Sequence, residues 1–139
     1  MEIDVTYSPA AEDISAIYNG LVEFNAPYFP NLEEKSVAGF IRNADGTIIG
    51  GVSAVIIFTS LHVRYLWLSE SIRSGGYGRK LLSAIELEAK QAGVENVYVD
   101  TYTFQAPGFY EKLGFAEVGR YRNYPKVGVD KIFYSKKLE

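Results

Sequence analysis

Apolar positions change their period several times along the chain, and each change marks an element. Ile3, Val5 and Tyr7 alternate with polar residues, which predicts a half-buried strand over 2–7. Ser8-Pro9 then opens a helix, serine as cap and proline at the first position. Ile14, Ile17, Tyr18, Leu21 and Val22 recur at helical spacing and predict its buried stripe. Asn25-Ala26-Pro27-Tyr28-Phe29-Pro30 breaks the pattern, and a short helix or turn is expected from Leu32 to about Ser36. Val37–Arg42 reads as a strand and Asn43-Ala44-Asp45-Gly46 as a hairpin turn. Thr47–Thr59 follows as a long strand, with Gly50-Gly51 near its start as a bulge or a close ligand approach.

A turn leads to His62 and a short strand, Arg64–Leu68, rich in aromatic and branched residues. Beyond Arg73-Ser74-Gly75-Gly76-Tyr77-Gly78-Arg79-Lys80, helical spacing returns in Leu81, Leu82, Ile85, Ala89 and Ala92. Glu86 and Lys90 pair at i,i+4 on the outer face, and Gly93 is the C-terminal stop. Glu95–Thr103 alternates as a strand, so the passage from 62 to 103 is a crossover whose two strands should be parallel. A short helix over 105–115, closed by Gly114, precedes a final antiparallel pair, Phe115–Arg122 and Lys131–Lys137, joined through Tyr124-Pro125. The order is β-α-(α)-β-β-β-α-β-α-β, without repeats, linkers or low-complexity segments.

Composition narrows the classes. The 139 residues are 47% hydrophobic and 22% charged, which suits one globular domain with a real core. No apolar run nears the ~20 residues of a membrane span; the longest is Val52–Phe58, and MEIDVTYS carries no secretory pattern. The absence of cysteine excludes disulfides, thiolate nucleophiles and thiolate metal sites, and fits a cytoplasmic protein. A pI near 5.3 argues against nucleic acid as the main partner.

Chemistry concentrates between the Arg64–Leu68 strand and the helix after it. Gly76 and Gly78 leave the first N–H groups of that helix uncovered, and those donors suit phosphate oxygens. Arg73, Arg79 and Lys80 put three cations into eight residues of a chain whose net charge is -3, so local charge opposes the global sign. A P-loop would need a hydroxyl where Leu81 follows Gly78-Arg79-Lys80, and a dinucleotide fingerprint would need a third glycine there. The remaining pattern, Arg/Gln-x-x-Gly-x-Gly/Ala at Arg73, Gly76 and Gly78, resembles the pyrophosphate loop of the GNAT superfamily of acyl-CoA-dependent N-acyltransferases. Phe-Tyr-Glu-Lys-Leu-Gly-Phe at 109–115 resembles the phrase that closes the CoA-binding region of that family, and the likeness covers nearly the whole chain.

The resemblance implies an α/β fold: a mixed, mostly antiparallel sheet, a parallel strand pair splayed at the acyl-CoA site, and helices on both faces. It implies acetyl-CoA as acyl donor, gripped by Arg73, Ser74, Gly75, Gly76, Tyr77, Gly78, Arg79 and Lys80 and walled by Trp67 and Leu68. A backbone N–H near Leu68 would hold the oxyanion, and Tyr110 aligns with the usual proton donor to the departing thiolate. A phenol of pKa ~10 is a weaker acid than a thiol of pKa ~8.5, so hydrogen-bond donation is favoured over early full transfer.

In some relatives a glutamate base stands where this chain has His62, the only histidine, which even spacing would put on the strand face of Arg64, Leu66 and Leu68. Glu70 and a water chain are alternative bases. Thr103 replaces an asparagine that bonds the pantetheine arm, which puts that contact in doubt. The acceptor, a small-molecule or peptide primary amine, should be framed by Phe24, Asn25, Tyr28 and Phe29 and by Tyr121 and Tyr124. Direct attack in a ternary complex, without metal, is the expected route, and a homodimer is compatible with the resemblance. The rival is a non-catalytic acyl-CoA-binding or sensing domain.

Overall fold

The structure is a computed structural model that describes residues 1–139, in two compact units, Met1–Leu32 and Glu33–Glu139. The first holds one helix, α1 (Ala11–Asn25), with Glu12 and Asp13 in its first turn, where carboxylates complement the helix dipole. Its start differs from expectation: Ala10 is the cap residue, so Ser8 and Pro9 stand outside the helix. Residues 2–7 form no strand, because alternation alone does not make one; a strand needs a hydrogen-bonding neighbour, and no ladder includes them. The stripe expected to be buried is exposed, from Val22 at 42% to Ile17 at 70%.

The second unit is a six-stranded sheet in the order β1-β2-β3-β4-β6-β5. β1 (Glu34–Arg42), β2 (Ile48–Ile57) and β3 (Ser60–Leu68) form an antiparallel meander. β1 begins three residues before the predicted strand and absorbs the stretch where a short helix was expected, because Glu34, Lys35 and Ser36 find partners in Ile57, Ile56 and Val55. After β3, a 3₁₀ turn at Glu70–Ile72 leads into α2 (Tyr77–Gln91), and β4 (Asn96–Tyr102) returns parallel to β3. Then come α3 (Pro107–Lys112), β5 (Ala116–Tyr121) and β6 (Lys131–Lys137), the last antiparallel to both β4 and β5. The mixed sheet with its single parallel pair is the expected fold class.

One face of this sheet carries the core. Val52, Ala54, Ile56, Leu61, Val63, Val97, Val99, Ile132 and Tyr134 pack against Leu81, Leu82, Ile85 and Ala89 of α2 and Tyr110 of α3. Each large side chain removed from water there contributes about 1.5–3 kcal/mol. Within this unit both helices therefore lie on one face. Glu86 is not on the outer face of α2 as expected: its carboxylate is 2.7 Å from Lys136 Nζ on β6. Lys90 instead donates to the carbonyl of Glu139.

The β2–β3 ladder slips by one residue. Ala54 faces Val63 but Ser53 faces Tyr65, which leaves Arg64 over as a bulge. Side chains alternate before and after it in opposite phase. Leu61 and Val63 join Leu66 and Leu68 on the core face, whereas His62 points to the other face. The even-spacing expectation is thereby corrected: His62 and Leu68 are on opposite faces of the sheet.

Candidate active site

β3 and β4 pair over only four residues, Ser60–Val63 against Asn96–Val99. Beyond the bulge they part, and a cleft of about 700 Å³ opens between them. Leu66, Trp67 and Leu68 line it from β3, Asp100 and Thr101 from β4, and Phe109 and Tyr110 from α3. Arg73, Ser74 and Gly78 bring the loop before α2 to the same cleft.

The splay leaves backbone groups free. Ser69 N–H donates to Ile49 O on β2 at 2.8 Å. Alternation then turns the N–H and C=O of Leu68 the other way, toward the gap. Arg73 Nε donates to that carbonyl at 3.0 Å, which leaves the Leu68 N–H as a donor for an oxyanion. Gly50 opposite makes room, since a Cβ there would stand 2.9 Å from the Leu68 side chain.

Gly76, at φ +80°, ends the loop and caps α2, a backbone conformation that costs an L side chain about 1–2 kcal/mol. The first helical bond of α2 is Lys80 N–H to Gly76 O, so the N–H groups of Tyr77, Gly78 and Arg79 keep no intrahelical partner. Those donors with Arg73 match phosphate oxygens, and Leu66, Ala106 and Phe109 match an apolar arm. The residues present thus fit the donor that the loop pattern implies. Gly78 serves packing as well: a Cβ there would lie 3.2 Å from the Phe109 ring. Lys80 Nζ sits over the Tyr77 ring at 5.2 Å, while Arg79 is exposed.

Tyr110 is 6% exposed and held edge-on between Phe109 and Phe115. Burial, with the Asp100 charge nearby, pushes its hydroxyl up to about 12. Complete proton transfer to a thiolate of ordinary pKa would then be uphill by about 5 kcal/mol, so this group can donate a hydrogen bond but keeps its proton. The His62 ring lies tilted against Tyr98, with centroids 4.6 Å apart, and burial holds its pKa below 6.5 against the opposing pull of Asp100. It is therefore neutral at pH 7 and able to accept a proton.

Thr103, Tyr121, Tyr124 and Glu70 do not line the cleft. The Thr103 hydroxyl accepts from Asp130 N–H at 3.2 Å and ties β4 to β6 rather than lining the cleft. Gln105, which sequence reasoning passed over, does line it. Its Oε1 accepts from Tyr102 N–H at 2.8 Å and from the Thr101 hydroxyl at 3.1 Å, which leaves its amide nitrogen free to donate. Tyr121, at the end of β5, and Tyr124, in the loop that follows, pack with tilted rings 4.6 Å apart. Phe24, Asn25, Tyr28 and Phe29 belong to the first unit. Glu70 lies in the 3₁₀ turn.

A splayed parallel pair, a cationic glycine loop opening a helix and a buried tyrosine beside the gap define an acyl-CoA-dependent acyltransferase. The chain belongs to the acetyltransferase (GNAT) family, whose model matches residues 7–115. An acetyltransferase of Agrobacterium fabrum is 33% identical over 109 residues, 78% of this chain and 80% of that protein. The blasticidin-S acetyltransferase of Streptomyces morookaense is 33% identical over 81 residues, 58% of this chain and 60% of its own. The crystal structure of an acetyltransferase from Bacillus cereus superposes with a TM-score of 0.87 at 33% identity, covering 97% of this chain and 98% of that one. The protein is thus an acetyltransferase that uses acetyl-CoA as its donor. No helix is long and apolar enough to cross a membrane.

Proposed function

We propose that this acetyltransferase moves the acetyl group of acetyl-CoA to a primary amine of a small molecule or peptide, by direct attack in a ternary complex. The observation that carries the reading is the gap between β3 and β4, where the Leu68 N–H and the Tyr110 side chain meet one cleft. The donor supplies an activated thioester carbonyl. Arg73 and the free N–H groups opening α2 bind its phosphates, and Trp67 and Leu68 wall it. The Leu68 N–H holds the charge that grows on the carbonyl oxygen, an interaction stronger in the transition state than before it. The Tyr110 hydroxyl donates to the departing sulfur.

His62, neutral and half-buried, accepts a proton from the amine side. No cysteine is available for a covalent acyl-enzyme, which leaves direct transfer as the simplest route. The small-molecule side of this reading is supported by a relative named as the acetyltransferase of blasticidin-S. A screen of primary amines for thiol release from acetyl-CoA tests it. At least one amine should raise release well above hydrolysis, and a screen in which none does would overturn it.

A further inference from the structure

The cleft contains one carboxylate, and the reading above gives it no role. Asp100 lines the gap on β4, two residues past the last β3–β4 pair partner but one. It stands on the sheet face shared with His62 and Tyr98, opposite to the face where Tyr110 packs. Both residues nevertheless line the one cleft.

Its partners surround it without satisfying it. The Tyr98 hydroxyl donates to Oδ2 at 3.3 Å, His62 Nε2 lies 3.7 Å from the same oxygen, and Lys131 Nζ lies 3.7 Å from Oδ1. The last two are longer than a hydrogen bond. A carboxylate in this chain that is saturated looks different: Asp130 takes Arg120 and the Asn123 N–H, each at 3.0 Å. An ionised carboxylate offers about four acceptor sites, so Asp100 retains capacity for a strong donor. The other charged residues lining the cleft are Arg64 and Arg73, and a cationic acceptor would find its only opposite charge at Asp100.

We infer that Asp100 is the acceptor's counter-ion: it binds the incoming amine as an ammonium ion and relays one proton to His62. This rests on the amine-transfer reading above and names the group that reading lacks. An ammonium nitrogen has no lone pair, so one proton must leave before attack. It passes through the carboxylate to neutral His62 Nε2, and the freed pair forms the C–N bond at the thioester carbonyl. The C–S bond then breaks, and the second proton on nitrogen goes to the thiolate. In sum, RNH₃⁺ and the acetyl thioester give the amide, the thiol and one proton. The titratable and charged groups around Asp100 are His62 on β3, Tyr98 on β4 and Lys131 on β6, with Arg64 on β3 and Tyr110 on α3 lining the same cleft. Lys131 also lies over the Tyr124 ring at 5.6 Å, which joins this cluster to the β5–β6 loop.

Asp100→Asn, nearly the same shape without the charge, tests the assignment. The probes are a panel of primary alkylamines, ammonium ions at neutral pH, and matching alkoxyamines, uncharged there. For alkylamines kcat/KM should fall by about 100-fold, the loss expected on removing one partner of a hydrogen-bonded charge pair. KM for acetyl-CoA should stay within about twofold, and the loss with alkoxyamines should shrink to about tenfold or less. His62→Gln is the second variant: kcat should drop and the acid limb of the pH–rate profile should vanish, with amine KM little changed. Equal losses for charged and uncharged amines, or wild-type kinetics in Asp100→Asn, would overturn the assignment while leaving amine transfer intact. A wild type that turns over neither panel would instead remove the amine-transfer reading, and this assignment with it.

Discussion

Tyr110 and Asp100 approach the same gap from opposite faces of the sheet, and their surroundings differ in kind. Tyr110 is 6% exposed, packed among Phe109, Phe115 and Tyr134. Asp100, His62 and Lys131 keep 28%, 35% and 25% of their side chains in contact with solvent. A departing thiolate gains most from a donor that water cannot replace, since a hydrogen bond strengthens as the local dielectric falls. An arriving amine comes out of water as a cation and must be met by charge, which a dry wall could not hold unpaired. On the proposed reading, departure falls to the buried side and arrival to the wetter one.

Removing the proton from the buried side should have the largest effect on that contrast. Tyr110→Phe keeps the ring among its aromatic neighbours, so folding and acetyl-CoA affinity should hold, while kcat falls about 100-fold. A donor with a more acidic thiol should recover part of the loss, and steady-state kinetics with both donors would show it. Wild-type turnover in Tyr110→Phe would take the hydroxyl out of the reaction. Next comes the donor grip. Arg73→Gln loses the charge at the loop and the bond to Leu68 O, so KM for acetyl-CoA should rise about tenfold, within the range of a charge-assisted contact. In the wild type that KM should also rise with added salt, as exposed phosphate contacts are screened; a salt-independent KM would place the cations on an idle surface.

The smallest effect concerns pH. The folded pKa of His62 lies below 6.5, chiefly through burial, so the proposed base is neutral at pH 7 and charges only as pH falls through that lower value. Turnover should therefore be flat around neutrality and decline on the acid side of 6.5 by about tenfold per pH unit once His62 is mostly protonated. Tyr110, at about 12, contributes no limb in the accessible range. A rate that titrates upward between pH 7 and 8 would point to a base other than His62.

The loop-and-helix side of the cleft was legible in the residues and the side of Asp100 and His62 was not. Leu81, Leu82, Ile85 and Ala89 recur at one period, and that period is the helix. Arg73, Gly76 and Gly78 are close in the chain, so their spacing survives into three dimensions. His62 misled because one unpaired residue, Arg64, shifts the alternation, and a bulge leaves no mark in an apolar pattern. Asp100 was hidden for a related reason: it reads as a polar position on an alternating strand, and only the parting of β3 and β4 makes it face a cleft. The strand predicted over 2–7 failed because periodicity describes what a segment could bury, not whether a neighbour is offered.

Gly78 and Phe109 touch through the methyl group that glycine lacks, with 3.2 Å between the ring and where a Cβ would be. Phe109 is followed in the chain by Tyr110, and Gly78 belongs to the first turn of α2, whose free N–H groups are the proposed phosphate site. On the proposed reading, the clamp on one end of the donor and the group serving its other end are therefore parts of a single bracket. A side chain at position 78 would wedge that bracket open at its corner and displace both jaws at once. Affinity and turnover would then decline together, as a fault in alignment rather than in chemistry.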